Sequence, residues 1–232
     1  MEQRNFDDFD DFADDYRLTH TRNIELSGAD SFYFAEMKVR LLQPFERNKR
    51  LMVLDMGCGD GATELYMQKY FPQWGICGVD VSEKSIEAAR KREISNAVFA
   101  VSNATEIPLE NESVDIVFIA GVLHHVGYHL HKSIAMEISR VLKKGGRLYL
   151  FEHNPLNPLT RYLVNTCVFD KDAKLLKSSY LMRLLVEGNF KIQGRHFIIF
   201  FPRNGIFSKL IFLERYLQWL PFGGQYFIRA IK

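Results

Sequence analysis

A short stretch near residue 55, LDMGCGDGATELY, combines glycines with carboxylates in a pattern typical of ligand-binding turns. The glycines at positions 57, 59 and 61 separate an apolar run, which predicts a strand, from a periodic run that predicts a helix. Such glycines let the backbone approach a ligand closely. Asp80 ends the next predicted strand, 21 residues after Gly59. This spacing fits a nucleotide-containing ligand whose ribose hydroxyls are bound by Asp80.

Two carboxylates at the turn bear on which ligand it holds. GCGDGA satisfies the G-x-G-x-x-A pattern of NAD sites. A diphosphate there would face Asp55 and Asp60, and like charges at close range in a sheltered site cost several kcal/mol. The same interaction favours a ligand with a cationic end, such as S-adenosylmethionine with its ammonium and sulfonium groups. A nicotinamide-dependent oxidoreductase that uses the same loop is the alternative.

Four motifs follow one another along the chain: VLDMGCGDGATELY, GVDVSEKSIEAAR, NATEIPLENESVDIVFIAGVLHHV and VLKKGGRLYLFEH. In order and spacing they resemble the motifs of class I S-adenosylmethionine-dependent methyltransferases of the small-molecule type. The resemblance covers roughly residues 50–152. It implies that S-adenosylmethionine is the methyl donor, that S-adenosylhomocysteine is the product, and that a small molecule accepts the methyl group.

The resemblance also assigns the residues that hold the methionine part of the donor. It implies that Asp55 lies near the ammonium group and that Gly57 and Gly59 let the backbone approach it. Gly121, after the fourth predicted strand, is expected beneath the methionine. Cys58 belongs to the same loop, where we interpret it as a small packing residue.

A second group of residues is implied for the nucleoside part. Asp80 is expected to accept hydrogen bonds from both ribose hydroxyls, with Val81 against the adenine. Asn103 stands where the family usually has an acid that meets the adenine amino group, with Ala104 beside it. An asparagine oxygen can still accept a hydrogen bond from that amine.

Histidines after the fourth and fifth predicted strands are candidates for proton transfer. A hydroxyl acceptor needs to be held in line with the methyl group and benefits from a base. VLHHVGYHLH contains His125, and FEHNPLNPLTR contains His153, so these two are the predicted catalytic residues. Four further residues are predicted to contact the acceptor: Tyr16, His20, Glu152 and Asn154.

The chain shows no pattern of a metal or disulfide framework. His125, His129 and His131 have a suggestive spacing, but no carboxylate or cysteine accompanies them, so no metal is predicted. The three cysteines form no C-x-x-C motif, and the acidic N-terminus lacks a signal-peptide core. We therefore expect a reducing, cytoplasmic setting.

Alternating strand and helix patterns organise the chain. Apolar runs at residues 51–55, 75–80, 97–101, 114–119 and 147–151 predict parallel strands with helices between them. Strands at 191–201 and 225–231 flank a predicted helix at 206–220. The fold class is therefore α/β, a Rossmann-like, mostly parallel seven-stranded sheet with helices on both faces and an antiparallel strand at the C-terminal end.

The chain is predicted to have two parts. Residues 1–46 are predicted as an N-terminal helical cap, which begins with an apolar stripe at Phe6, Phe9, Phe12 and Tyr16. Residues 47–232 are predicted as the methyltransferase domain, with a motif core at 50–152 and closing elements at 153–232.

The charge distribution limits the partners. The net charge is +2, and the tetrad used on nucleobase amino groups is absent after the fourth strand, so nucleic acid is not expected. Residues 1–15 carry seven acids and one base, whereas residues 191–232 carry seven bases and one acid. Pairing between these solvated ends is one interpretation. The other is that a basic, aromatic-rich end approaches an anionic substrate or a membrane surface.

The predicted helix at 206–220 has an apolar face that further apolar residues widen. Either the sheet and the N-terminal helix cover these residues, or the helix covers an apolar acceptor, forms a dimer contact or lies on a membrane beside a lipid-linked acceptor.

Methyl transfer to a hydroxyl is the favoured chemistry. Besides the oxidoreductase, the alternative is a non-catalytic, donor-binding subunit.

Overall fold

The structure, a computed structural model, describes residues 30–167, 173–203 and 205–232. The predicted helix bearing Phe6, Phe9, Phe12 and Tyr16 therefore lies outside the described residues, as do the predicted acceptor contacts of Tyr16 and His20. Of the predicted cap at residues 1–46, the described part contains one helix, α1, at Ser31–Arg40.

Seven strands in the described residues form one sheet in the order β3-β2-β1-β4-β5-β7-β6. Strands β3, β2, β1, β4 and β5 run parallel, whereas β7 is antiparallel to both β5 and β6. This arrangement confirms the predicted Rossmann-like fold. The strands are β1 Leu51–Met56, β2 Trp74–Asp80, β3 Ala97–Val101, β4 Val114–Ala120, β5 Leu142–His153, β6 Lys191–Ile198 and β7 Gln225–Ile231.

Helices cover both faces of this sheet. After α1 they are α2 Ala62–Tyr70, α3 Glu83–Arg90, α4 Tyr128–Val141, α5 Pro158–Thr166, α6 Ser178–Glu187 and α7 Glu214–Leu217, with 3₁₀ segments at Leu123–His125 and Gly205–Leu213. Successive strand residues point to opposite faces. Val53 accordingly packs in the layer of α1 and α2, and Leu54 in the layer of α4 and α6.

The strand order places a ligand crevice between β1 and β4. The chain proceeds from β1 toward β2 on one side and from β4 toward β5 on the other, and a crevice opens beyond the carboxyl ends of the strands where the order reverses. Gly57 follows β1, and Gly121 follows β4. The predicted donor residues of the loops therefore meet at one edge of the sheet.

The fourth helix is longer than its sequence pattern indicates. The sequence pattern predicts a helix at residues 134–142 that KKGG ends, but α4 begins at Tyr128 after Gly127, and it ends at Val141. KKGG lies in β5 instead, because this strand begins at Leu142, which pairs with Val114. The register then shifts before the next pair, Ile116 with Arg147.

A helix not expected from the sequence, α5, begins at Pro158. The two prolines of NPLNPLT predict a stiff connection with no regular helix before Leu159. Pro158 instead occupies the first helical turn, and the Asn157 side chain caps the helix by accepting a hydrogen bond from the Thr160 amide at 2.9 Å. Proline is favoured at a helix start because its missing N–H would have no intrahelical partner there.

The expected C-terminal helix at 206–220 is a 3₁₀ segment followed by the single turn α7. Its sequence, GIFSKLIFL, is rich in isoleucine and phenylalanine, which have modest helix propensity. Among the described residues, no helix is both long enough and apolar enough to cross a membrane.

Candidate active site

The glycine loop after β1 is held against its neighbours by backbone contacts. The amides of Gly57 and Cys58 both donate to the Val79 carbonyl, at 2.8 and 3.1 Å. Gly57 has a φ of +79°, and a Cβ there would lie 2.3 Å from a methyl carbon of Val122. A Cβ on Gly59 would meet no atom within 4 Å. The loop is thus close-packed at Gly57 and open beside Gly59, where a ligand can approach its backbone.

Asp80 joins the glycine loop to the end of β2. Its Oδ2 accepts a hydrogen bond from the Gly59 amide at 2.9 Å, and its Oδ1 accepts one from the Ser82 amide at 3.0 Å. An ionised carboxylate has about four acceptor sites, which is more than these two bonds use. The geometry fits the predicted contact with ribose hydroxyls.

Two buried carboxylic acids lie at the base of the loop. Asp55 is 2% exposed and Glu64, from α2, is 0% exposed. Burial raises the pKa of Asp55 to about 7, assisted by the charge of Asp80 and opposed by a hydrogen bond from Glu64 and by Lys38. Burial and the adjacent Asp55 also raise the pKa of Glu64 well above its usual value. Buried acids of this kind favour a cationic ligand, and the donor's ammonium group fits that requirement.

Lys38 brings a positive charge from α1 to the same edge. Desolvation lowers the pKa of its ammonium group, while the charges of Glu152 and Asp55 oppose that shift. Lys38 was not among the residues singled out from the sequence, because nothing in the pattern of α1 indicates that it faces a strand end near residue 55.

Asp60 does not contribute as expected to the charge of the loop. Its carboxylate pairs with the Arg92 guanidinium, which also donates to the Asp60 carbonyl oxygen. The expected repulsion of a diphosphate by Asp60 is therefore largely neutralised. Glu64 takes the place of Asp60 as the second acid beside Asp55.

The adenine side differs in one respect from expectation. The Asn103 side-chain oxygen accepts bonds from the Thr105 amide at 3.0 Å and the Thr105 hydroxyl at 2.8 Å. An amide oxygen has two lone pairs, and these two bonds use both. Neither lone pair is left to accept the hydrogen bond predicted from the adenine amino group. What the Asn103 side chain can still offer to an adenine is its NH₂ group, which is a donor. Val81 and Ala104 are half-buried near the same edge.

Cys58 and Gly121 lie where the loop packing requires small residues. The Cys58 side chain is 7% exposed, and burial raises the pKa of its thiol, which agrees with a packing role. Gly121 has a φ of +73°, and its amide donates to the Phe151 carbonyl at 2.9 Å.

A buried histidine–carboxylate pair joins the ends of β4 and β5. The Nδ1 atom of His124 lies 2.6 Å from Oε2 of Glu152, and Oε1 of Glu152 accepts the Leu123 amide at 2.8 Å. Burial alone would raise the pKa of Glu152, but His124 and the hydrogen bonds lower it, so the carboxylate is ionised and His124 donates to it. Glu152 was predicted to contact the acceptor; it is instead 1% exposed and bonded to His124 and the Leu123 amide, so it positions the loop after β4.

His124 lies beside both predicted catalytic histidines. Its ring centroid is 4.1 Å from that of His125 and 5.2 Å from that of His153, and both neighbours are half-buried. His124 itself is 2% exposed, as expected for the packed member of the LHH pair. The sheet therefore brings the two candidate bases to one place, although they are 28 residues apart in the sequence.

Asn154 is likewise occupied by the protein. Its Nδ2 donates to the carbonyls of Pro221 at 3.0 Å and Gly223 at 2.7 Å, and its Oδ1 accepts the Leu156 amide at 3.1 Å. The predicted contact between Asn154 and the acceptor does not fit this geometry. The residue instead fixes the segment after β5 to the loop before β7.

His131 contacts the backbone of the loop after β4. Its Nε2 lies 3.1 Å from the carbonyls of both Leu123 and Val126, and its Nδ1 lies 2.9 Å from the Tyr180 hydroxyl. Burial lowers the pKa of His131, which favours its neutral form. Both ring nitrogens have protein partners, so the sequence spacing of His125, His129 and His131 does not correspond to a metal-ligand set.

Comparisons with known proteins identify the domain and the fold. Residues 54–150 match the family model described as a methyltransferase domain. A solved structure from Thermotoga maritima, described as a SAM-dependent methyltransferase and possible histamine N-methyltransferase, has a TM-score of 0.70 at 21% identity, covering 98% of this chain and 100% of that one. This likeness shows a shared fold.

Two curated relatives are similar over the region that contains the motifs. An uncharacterized methyltransferase of Schizosaccharomyces pombe is 31% identical over 158 residues, 62% of this chain and 52% of that protein. The 27-O-demethylrifamycin SV methyltransferase of Amycolatopsis mediterranei is 33% identical over 112 residues, 46% of this chain and 39% of that protein. The matched region thus spans about half the length of the first of these relatives and less than half of the second.

Proposed function

Because residues 54–150 of this chain belong to the methyltransferase-domain family, we propose that the protein transfers a methyl group from S-adenosylmethionine to a hydroxyl group of a small molecule. The observation that carries the proposal is the buried pair of Asp55 and Glu64 beneath an open glycine loop. Ionisation of Asp55 in this desolvated site is stabilised by an ammonium group and opposed by a diphosphate.

The donor is held in three places. Asp55 binds its ammonium group, and Lys38, which faces Asp55, binds its carboxylate. Asp80 accepts hydrogen bonds from the ribose hydroxyls, while Gly57 and Gly59 supply the close approach of the backbone. Val81, Ala104 and the Asn103 NH₂ group line the adenine. When bound, S-adenosylmethionine supplies a methyl group already activated by its positive sulfur.

The acceptor's proton is taken by a histidine. A ring nitrogen of His125 or His153 accepts the hydroxyl proton as the oxygen becomes a nucleophile, a contribution of about 10²–10⁴-fold in typical enzymes. His124, held by ionised Glu152, contacts both rings and fixes their positions. The similarity to the 27-O-demethylrifamycin SV methyltransferase supports an oxygen of a small molecule as the acceptor.

Calorimetry and labelling together test this function. We expect S-adenosylmethionine and S-adenosylhomocysteine to bind, and NAD not to bind. Cells that express the protein, fed methionine with an isotopic methyl label, should contain a labelled metabolite that is missing from cells expressing a His125→Ala, His153→Ala double variant. Binding of NAD alone would favour the oxidoreductase. Donor binding with identical metabolite profiles in both cell lines would indicate the non-catalytic, donor-binding subunit.

Asp80→Ala is expected to weaken donor binding at least tenfold. Hydrogen bonds to a charged group contribute about 1.5–3 kcal/mol each, and a tenfold change in Kd is about 1.4 kcal/mol. Asp115→Ala is the matched control, because Asp115 also accepts a backbone amide, from Met52 at 2.9 Å, but near the opposite end of its strand. Calorimetric titration of both variants should show a changed Kd only for Asp80→Ala. An unchanged Kd for that variant would contradict the placement of the ribose.

A further inference from the structure

Exposed aromatic and aliphatic side chains are concentrated on two segments after β5. Of the fifteen large hydrophobic side chains that are exposed in the described residues, eight lie in residues 156–162 and 207–222. Trp219 is 72% exposed and Phe222 is 64% exposed. We call this the aromatic surface; its members are Leu156, Leu159, Tyr162, Phe207, Phe212, Tyr216, Trp219 and Phe222.

Hydrogen bonds hold the start of the first segment beside the loop that ends the second. The side chain of Asn157 donates to the Phe222 carbonyl, and the Thr160 hydroxyl donates to the Gly224 carbonyl at 2.9 Å. Asn154 bonds to the same loop at Pro221 and Gly223. The start of α5 and the loop before β7 therefore form one fixed surface, and it adjoins the strand end that carries His153.

The exposed charged side chains on these two segments are all positive. Arg161, Lys209 and Arg215 are exposed, and the Arg215 guanidinium lies 4.6 Å from the centre of the Tyr216 ring. Between residues 154 and 167 and between 205 and 224, the single acid is Glu214. Glu214 is directed inward, where it pairs with Arg203 at 3.0 Å and accepts the amides of Phe200 and Phe201. Within residues 154–167 and 205–224, the exposed charged side chains at the border of the aromatic surface are therefore all positive.

We propose that the aromatic surface docks on the face of a bilayer that contains anionic lipids. Tryptophan and tyrosine partition to the boundary between headgroups and acyl chains, and exposed lysine and arginine attract anionic headgroups. An apolar protein partner would match the aromatic residues but would leave the three cations without counter-charges. The docking goes beyond the proposed function, and it would bring the strand end of His153 close to the lipid surface, where a lipid-linked acceptor lies.

The fluorescence emission of Trp219 provides a measurement of docking. The chain has two tryptophans, and Trp74 is 1% exposed in the core, so a Trp74→Phe variant reports on Trp219 alone. Vesicles of phosphatidylcholine with one third phosphatidylglycerol are titrated into this variant without donor. We expect a blue shift of the emission and retention of the protein by the vesicles. Pure phosphatidylcholine should bind it more weakly, and raising the salt concentration should lower binding to the anionic vesicles.

Two double variants test the surface itself, and both are made in the 232-residue chain that keeps Trp74. Trp219→Ser with Phe222→Ser should lower vesicle partitioning at least about tenfold, because each apolar side chain that enters the bilayer adds favourable transfer free energy. Lys209→Glu with Arg215→Glu should abolish the preference for anionic vesicles. Val98→Ser with Val186→Ser is the control, because these side chains are 66% and 58% exposed elsewhere and should leave binding unchanged.

Two results would overturn the docking. One is the absence of vesicle binding and of an emission shift. The other is sedimentation of the protein as a dimer that Trp219→Ser with Phe222→Ser converts to a monomer, which would make the surface a contact between two copies. Both results are independent of donor binding, so they leave the proposed function to be judged by its own tests.

Discussion

Replacing Glu152 with alanine is expected to destabilise the protein by about 3–5 kcal/mol, the range for removal of one partner from a buried ion pair. The Glu152 carboxylate is buried between two donors, the His124 ring at 2.6 Å and the Leu123 amide at 2.8 Å. The alanine variant leaves both donors without their acceptor in a dry environment. Because the pair joins the ends of β4 and β5, the loop that presents His125 should also lose its fixed position.

The same variant is expected to lose methyl transfer beyond its loss of stability. Small displacements of a catalytic group can reduce turnover by about 10²-fold. Turnover should therefore fall sharply at saturating donor, in conditions where urea denaturation shows the variant to be folded, while the donor Kd changes little. Glu152→Gln can still accept from Leu123 but carries no charge for His124, so it should recover part of the stability and alter the pH profile of turnover.

Glu46 offers a matched control for this experiment. It is also a buried acid, paired with Arg147 at 2.7 Å and with the Tyr149 hydroxyl at 2.8 Å, toward the other end of β5. Glu46→Ala should lower the free energy of unfolding by a similar amount and leave turnover of the folded protein unchanged. If Glu46→Ala and Glu152→Ala reduced turnover equally, the role of Glu152 would be structural support alone, and its positioning of the histidines would be rejected.

The parallel core of the fold was predictable because its signals are local and strong. Strands such as Ala97–Val101 are apolar runs bounded by polar turns, and the helix Ala62–Tyr70 follows directly on the glycine turn. Ser82 has the residue type of an N-cap, and its side chain accepts the Ser85 amide as that role requires. The successive motifs then fixed which strand ends carry the donor residues.

The pairings inside the site were not predictable, because they join residues far apart in the sequence. Asp60 was expected to repel phosphates, but Arg92, 32 residues later, neutralises it. Glu152 and Asn154 were expected at the acceptor because they follow a strand; the sequence does not reveal that His124 and the 221–223 loop occupy them. A signal for Glu64 does exist, since an acid in the first turn of a helix after a glycine loop lies near the preceding strand end.

Donor binding is expected to weaken about tenfold between about pH 8 and about pH 6, because Asp55 must lose its proton to bind an ammonium group. The pKa of Asp55 is raised to about 7, chiefly by burial. At the higher pH the carboxylate is ionised and attracts the donor. At the lower pH it is mostly protonated, and binding must expel that proton. Calorimetric Kd values for S-adenosylmethionine across this range measure the effect.

Asp55→Asn should remove this dependence and weaken binding at about pH 8 by roughly a hundredfold, since loss of one partner of a buried charge pair costs about 2–5 kcal/mol. Glu64→Gln keeps an N–H donor toward Asp55 and should preserve the pH dependence. Glu64→Leu removes the hydrogen bond that lowers the pKa of Asp55, so the midpoint should move to higher pH.

A ligand without the amino acid portion separates charge recognition from general damage to the loop. Methylthioadenosine retains the nucleoside and the sulfur but has no ammonium group for Asp55 to bind. Its Kd should depend little on pH and should be the same for the wild type and for Asp55→Asn, whereas Asp80→Ala should weaken it as it weakens the complete donor. If methylthioadenosine showed the same pH dependence as S-adenosylmethionine, the titrating group would act on the loop and not on the ammonium. The buried acids would then be a structural feature of the turn, and the electrostatic preference for a cationic donor over a diphosphate would lose its basis.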